Sequence, residues 1–188
     1  MANNLITRAE YKAYASISST NQDTEIDAII PKVSQLVKTY CRRTFVDFVD
    51  EARTEVFEGG YSTLLLKETP VTQVISVQQS KDYGQTYTKL NKFTDWVQSG
   101  DYIVCTDPRG FEPLINGYRV SYFAGYEAVP EDLKLAVLDL VTYYRKNDSA
   151  IHSTKAPGTN AVQIEYISTT SLPAHIKRVL DMYVADYT

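Results

Sequence analysis

Two histidines, His152 and His175, offer the widest chemistry near neutral pH, as general bases or as zinc ligands. Neither has a second ligand at metal-binding spacing such as HxxxH or CxxC. His152 stands in the polar stretch "RKNDSAIHSTKAPGTN" and His175 opens the last helical segment, so both read as solvated or cap-proximal side chains. Cys41 and Cys105 lie far apart without a CxxC partner and read as reduced, buried thiols, with a disulfide between them left open. The glycines at 59, 60, 84 and 110 fit turns and belong to neither GxGxxG nor GxxxxGK[ST], which removes the phosphate cradle. There is no G-x-S-x-G elbow, and "DYGQTYTKLNKFTD" lacks the alternating oxygen ligands and final Glu of a calcium loop. Adjacent Glu131 and Asp132 serve a helix N-terminus better than acid–base catalysis. The expectation is therefore no enzyme, no metal and no cofactor. A hydrolase built from carboxylates distant in sequence is retained only as a third alternative.

Composition points the same way. A chain of 188 residues is long enough for one domain, or a domain carrying an inserted module, that buries roughly 70% of its unfolded surface. Hydrophobic content of 44% against 22% charged predicts a packed core. A net charge of -4, with Arg42-Arg43 as the densest basic spot, gives no footprint for gripping nucleic acid. The N-terminal stretch has no apolar signal region and no run approaches a membrane span, so a soluble intracellular protein without membrane contact is expected. Fifteen tyrosines against six phenylalanines and one tryptophan suit half-buried positions at subunit boundaries as well as ordinary strand filling.

The elements that must position these residues fall into three blocks. Thr7 and Glu10 in the S/T-x-x-E arrangement predict a short first helix. Ile26, Ile29, Ile30, Val33, Leu36, Val37 and Tyr40 predict a second of about four turns, kinked or broken at its start by Pro31. From Ala52 to Tyr126, short β-rich runs separated by "GGY", "ETP", "KDYG", "QSGD" and "DPRG" predict five to seven mostly antiparallel strands, with "SKDYGQ" as a hairpin tip. In "VTQVISV", alternation puts Val71, Gln73, Ile75 and Val77 on one face. Pro130 as first helical residue, with Glu131 and Asp132, opens a third helix. Leu133, Ala136, Val137, Leu140, Val141 and Tyr144 line one side of it, and Leu135 and Leu138 nearly the opposite side. Residues 145–160 read as a mobile loop, "VQIEYI" as a strand, and "SLPAHIKRVLDMYVADYT" as a last helix capped by Ser171.

The fold class that follows is α+β: a helical pack of N- and C-terminal helices with an inserted antiparallel β-rich lobe. Its boundaries are 1–51 and 127–188 for the helices and 52–126 for the lobe. The second apolar stripe of the third helix needs a cover, supplied either by the lobe or by a neighbouring copy repeated head-to-tail.

The patterns "LITRAEYKAYASI", "EIDAIIPKVSQLVKTYCRRTF", "TPVTQVISV" and "VSYFAGYEAVPEDLKLAVLDLVTYYRKND" run in this order over nearly the whole chain. In these the sequence resembles the head-tail connector, or adaptor, proteins of tailed bacteriophages, in particular longer members with a β insertion. The strongest element is the junction from Ala124-Gly125-Tyr126 through Val129-Pro130-Glu131-Asp132-Leu133-Lys134. The resemblance implies a structural virion protein of the neck, made in the host cytoplasm. It would bind below the portal protein as a ring of usually twelve copies, extend the DNA channel without specific DNA binding, and carry the next neck or tail-completion protein. A monomer in free solution is compatible with that role. Leu135 and Leu138 are the expected copy-to-copy contacts, and His175, Met182, Tyr183 and Tyr187 the expected portal-docking residues. Truncation after Thr170 is expected to abolish portal binding. The alternative reading is a carbohydrate- or receptor-binding β module, with Trp96 stacking on a sugar.

Overall fold

The computed structural model of this chain describes residues 3–146, 152–155, 162–165 and 172–185. It is α+β, with helices at both ends of the order and antiparallel sheets between them. The chain divides into two compact units, one centred on Arg42–Val129 and the other on Asn4–Cys41 with Pro130–Val184.

In the helical unit, α1 (Arg8–Tyr14) starts where the sequence pattern places it. The Thr7 hydroxyl accepts from the Glu10 amide at 3.2 Å, and the Glu10 carboxylate accepts from the Thr7 amide at 2.7 Å. Each side chain thereby satisfies a backbone donor that the helix start leaves open. Thr7→Ala should therefore lower stability by about 1 kcal/mol, read by urea unfolding followed by far-UV circular dichroism, with Thr7→Asn retaining most of it.

Helix α2 (Asp23–Cys41) buries Ile26, Ile30, Val33, Val37 and Cys41, a stripe at helical spacing. It passes through Pro31 as one element, since only the hydrogen bond to the preceding turn is given up while the apolar stripe stays in phase. Buried Ser34 accepts from the Leu5 amide at 3.1 Å and ties down the segment before α1.

Helix α3 (Glu131–Lys146) buries Leu133, Ala136, Val137, Leu138, Leu140 and Val141. Pro130 precedes it rather than opening it, and its carbonyl accepts from the Lys134 amide at 2.8 Å. Helix α4 (Ala174–Asp181) buries Ile176 and Leu180, and the Cys41 thiol donates to the Leu180 carbonyl at 3.6 Å. Its N-cap is Pro173, which supplies no side-chain cap; Ser171 lies outside the described residues.

Arg145 binds α3 to the first two helices. Its guanidinium donates to Glu25 at 2.8 Å, to Gln22 at 2.9 Å and to the Tyr11 hydroxyl at 3.2 Å. The fork geometry of arginine allows one side chain to hold three partners.

Of the loop expected over 145–160, residues 147–151 and 156–160 lie outside the described residues, and the described parts are helix and strand. Arg145 and Lys146 close α3, and β8 (His152–Lys155) pairs antiparallel with β9 (Val162–Glu165). A strand reading His-Ser-Thr-Lys has no apolar alternation to announce it, whereas Val162 and Ile164 in its partner do.

Among the described residues the other unit contains seven strands: β1 (Arg53–Phe57), β2 (Thr63–Leu65), β3 (Val71–Gln79), β4 (Thr88–Lys89), β5 (Trp96–Ser99), β6 (Tyr102–Cys105) and β7 (Tyr118–Ala124). They form one sheet in the order β1-β7-β3-β4 and another in the order β2-β6-β5. Both sheets contribute to one core, in which Leu64, Trp96 and Ile103 meet Val74, Val77, Val120 and Tyr122. Strand β7 alternates strictly, burying Tyr118, Val120, Tyr122 and Ala124.

Its partner β3 departs from the expected alternation. Register shifts between Val71 and Gln73 and between Val74 and Ser76 insert Thr72 and Ile75 as extra residues. After each bulge the face resets. Val71, Val74 and Val77 therefore stand opposite Ala124, Tyr122 and Val120, while Ile75 is turned outward.

One charged group sits in this unit's interior. Arg53 donates to Glu55 at 2.5 Å and to Glu68 at 3.1 Å, and both carboxylates are buried. Glu68 also accepts from the Thr44 amide at 3.0 Å, and Glu55 from the Lys67 amide at 3.2 Å. Burial nevertheless holds the Glu68 carboxyl above its ordinary value, because the Thr44 and Arg53 contacts only partly offset the loss of water.

Candidate assembly surfaces

The residues singled out on the last two helices occupy unlike settings. Leu135 on α3 is 50% exposed, whereas Leu138 is 8% exposed. Three residues turn a helix by about 300°, so Leu138 comes round to the side shared by Val137 and Val141 and has little surface left to offer another copy. On α4, His175 is exposed and Met182, just past the helix, is 66% exposed. Tyr183 is half-buried and occupied: its hydroxyl donates to Asp132 at 2.6 Å, which holds that carboxyl below the usual carboxylate value. Tyr187 lies outside the described residues.

A second polar tie lies nearby in sequence. Tyr40 donates to Asp181, and Lys177 reaches the same carboxylate at 2.9 Å. The Tyr40 bond, then Lys177, keep Asp181 ionised below its ordinary range, so the end of α4 is fixed to α2. Of the expected docking residues that are described, Met182 and His175 are therefore the exposed ones. Between α2 and α3 runs a recess of about 410 Å³ lined by Ala28, Ile29, Val33, Leu36 and Tyr144, with Glu25 and Arg145 at its edge.

On the β unit Val56, Ile75 and Tyr102 are exposed on strands, but the most exposed apolar residues sit in the loops. Tyr83 occupies the β3–β4 hairpin loop, Ile115 the loop before β7, and Phe93 the turn between β4 and β5. Trp96, by contrast, is 3% exposed inside the core. That overturns the sugar-stacking alternative, because the ring has no free face to offer a pyranose.

Against this geometry stand the comparisons with known proteins. The family model described as head completion protein matches residues 4–185. The chain belongs to the head completion protein family. No curated protein matches it. Among solved structures it is similar to a chain in the neck of an empty gene transfer agent particle computed with C6 symmetry. The TM-score is 0.63 at 14% identity, covering 100% of this chain and 97% of that one. It is also similar to a chain in the virion of a native gene transfer agent particle, with TM-score 0.61 and 14% identity over 98% of this chain and 91% of that one. A third likeness, to the neck of the native particle computed with C12 symmetry, has TM-score 0.56 at 14% identity, covering 100% of this chain and 97% of that one. At such identity the likeness is one of fold.

Family membership gives the exposed head completion residues a context that sequence reasoning only half supplied. Leu135 and Met182 are legible as apolar residues off the main stripes. Phe93 was missed, although its neighbours Asn91, Lys92, Thr94 and Asp95 are all polar turn formers and no apolar residue stands two places away on either side.

Proposed function

We propose that this chain is a structural, non-catalytic subunit of a particle neck. It assembles as a ring below the portal protein, about twelve copies in symmetry with it, extends the channel and carries the next neck or tail-completion protein. The observation that carries this reading is the head completion match over residues 4–185, which takes in both units of the fold. The net charge of -4 supports a channel wall that lets DNA slide past rather than gripping it. In this reading Leu135 contributes to the contact between copies, and Met182 and His175 to docking.

The test mixes the purified chain with purified portal and looks for a stacked ring by electron microscopy. Truncation after Thr170 is a poor probe, because it would remove Ile176 and Leu180 from the helical core. Point changes on exposed positions separate folding from assembly. Leu135→Glu and Met182→Glu should each leave stability within about 0.5 kcal/mol of the parent and weaken ring formation or portal binding roughly tenfold or more. A chain that forms no ring with portal, or variants that assemble like the parent, would count against this role and these residues respectively.

A further inference from the structure

The α2–α3 recess is apolar along α2, through Ala28, Ile29, Val33 and Leu36, and Leu36 is open to solvent. At about 410 Å³ it has room for more than one apolar side chain. Its charges are uneven. Arg145 is paired with Glu25 at 2.8 Å, whereas Lys32 forms no ion pair among the described residues, so the recess carries a surplus positive charge. A surface of the opposite sign lies elsewhere on α3. Leu135 is half exposed and Tyr14 nearly as much. The Tyr14 hydroxyl donates at 2.5 Å to Asp139, one helical turn on from Leu135, so the tyrosine is tied to the leucine face. Glu131 stands one turn before Leu135 with its side chain 85% exposed. Lys134 reaches Glu131 at 2.9 Å and Glu10 at 3.2 Å, so three carboxylates against one ammonium leave this apolar patch with an acidic rim. Lys146 shares the face but lies about 16 Å further along the axis, outside the patch.

We infer that the α2–α3 recess is the socket for a second copy of this chain, which inserts Leu135 and Tyr14 and brings the acidic rim of that face against Lys32. Complementary charge is one support, since knob and socket carry opposite surplus and both belong to the same sequence. Direction is the other. From Leu135 to Tyr144, which lines the recess, is nine residues or about two and a half helical turns, so the two surfaces lie on opposite sides of α3. In a head-to-tail ring of about twelve copies, the two contact faces of a subunit point roughly 150° apart. One helix thus presents both halves of the contact at close to the angle that such a ring needs. A two-fold pairing is opposed by the same charges. It would set Glu131 and Asp139 against their own counterparts, or Lys32 against Lys32.

The inference rests on the neck reading, and the test separates the two. Full-length Leu135→Cys, Leu36→Cys and the double variant are each mixed with purified portal and treated with a short bismaleimide. Denaturing gels read the cross-links, and electron microscopy of the same mixtures reads the rings. The parent treated alike controls for Cys41 and Cys105. The double variant should give a ladder of covalent oligomers, and a mixture of the two single variants should stop at dimers. Neither single variant alone should cross-link beyond the parent. Lys32→Glu should weaken ring formation on portal roughly fivefold or more, and Glu131→Lys added to it should restore most of that loss. Cross-linking by Leu135→Cys alone signals two-fold pairing and overturns the socket. Rings on portal without the ladder overturn it while leaving the neck reading intact. If the cysteine changes themselves cost the ring, the charge pair decides, and absence of rescue overturns the socket. A parent chain that forms no ring on portal removes the neck reading and the socket with it.

Discussion

Arg53→Met will destabilise the β unit by about 3–5 kcal/mol at neutral pH, because it leaves Glu55 and Glu68 buried without their shared counter-charge. The guanidinium is held at 2.5 Å from one carboxylate and 3.1 Å from the other, and it lies 5.0 Å from the centroid of the Phe48 ring, so methionine restores some packing and none of the charge. The pH dependence has a defined sign. Burial raises the folded-state pKa of Glu68 above its ordinary 4.5, so proton uptake favours the folded state. That contribution is complete below the unfolded value and is lost as pH rises through the raised folded one. Without Arg53 the folded value rises further, so the deficit of the variant should shrink steadily as pH falls towards 4.5. Adding Glu55→Gln and Glu68→Gln to Arg53→Met should recover much of the loss at neutral pH, since amides are less costly to bury than unpaired charges. Urea titrations at several pH values read this directly. A deficit that stays constant with pH would mean that the arginine acts through packing alone.

Gly125→Ala is the second large effect, on the order of 3 kcal/mol or more. Gly125 has φ +113°, and an added Cβ would lie well under 3.0 Å from the backbone carbonyl oxygen of Phe45. That oxygen cannot retreat freely, because it accepts from the Tyr126 amide at 2.7 Å. On either side, the Gly125 amide donates to Pro70 and the Ala124 amide to Phe48, both at 2.9 Å. Gly100→Ala is the matched control. It also has positive φ, at +57°, but an added Cβ there meets nothing within 4 Å, so only the conformational term of about 1 kcal/mol applies. Equal losses at the two sites would remove the steric account.

The same Gly125 junction shows how much the sequence disclosed. An alternating β7, a glycine and a proline-led helix could be read directly, because each follows from local geometry that its own residues dictate. The capping box of α1 and the stripe of α2 were equally plain. What stayed hidden depended on partners. The face of β3 is reset by bulges that only its pairing with β7 reveals, and β5 carries just Trp96 and Val97 as apolar markers before Gly100. The surface positions suffered likewise. A helical wheel shows that Leu135 and Leu138 lie off the main stripe but not what encloses Leu138, and nothing in "DMYVADYT" says that the Tyr183 hydroxyl is already committed to Asp132. Amphipathicity is a one-element property, whereas a vacant surface belongs to the assembled tertiary structure.

The single tryptophan has a spectroscopic consequence. Trp96 is enclosed in the β core, and the helical unit contains none, so indole emission tracks the melting of one unit alone. Ellipticity at the helix band is weighted towards the other. Recording both signals from the same denaturant series would give each unit its own unfolding midpoint without cutting the chain.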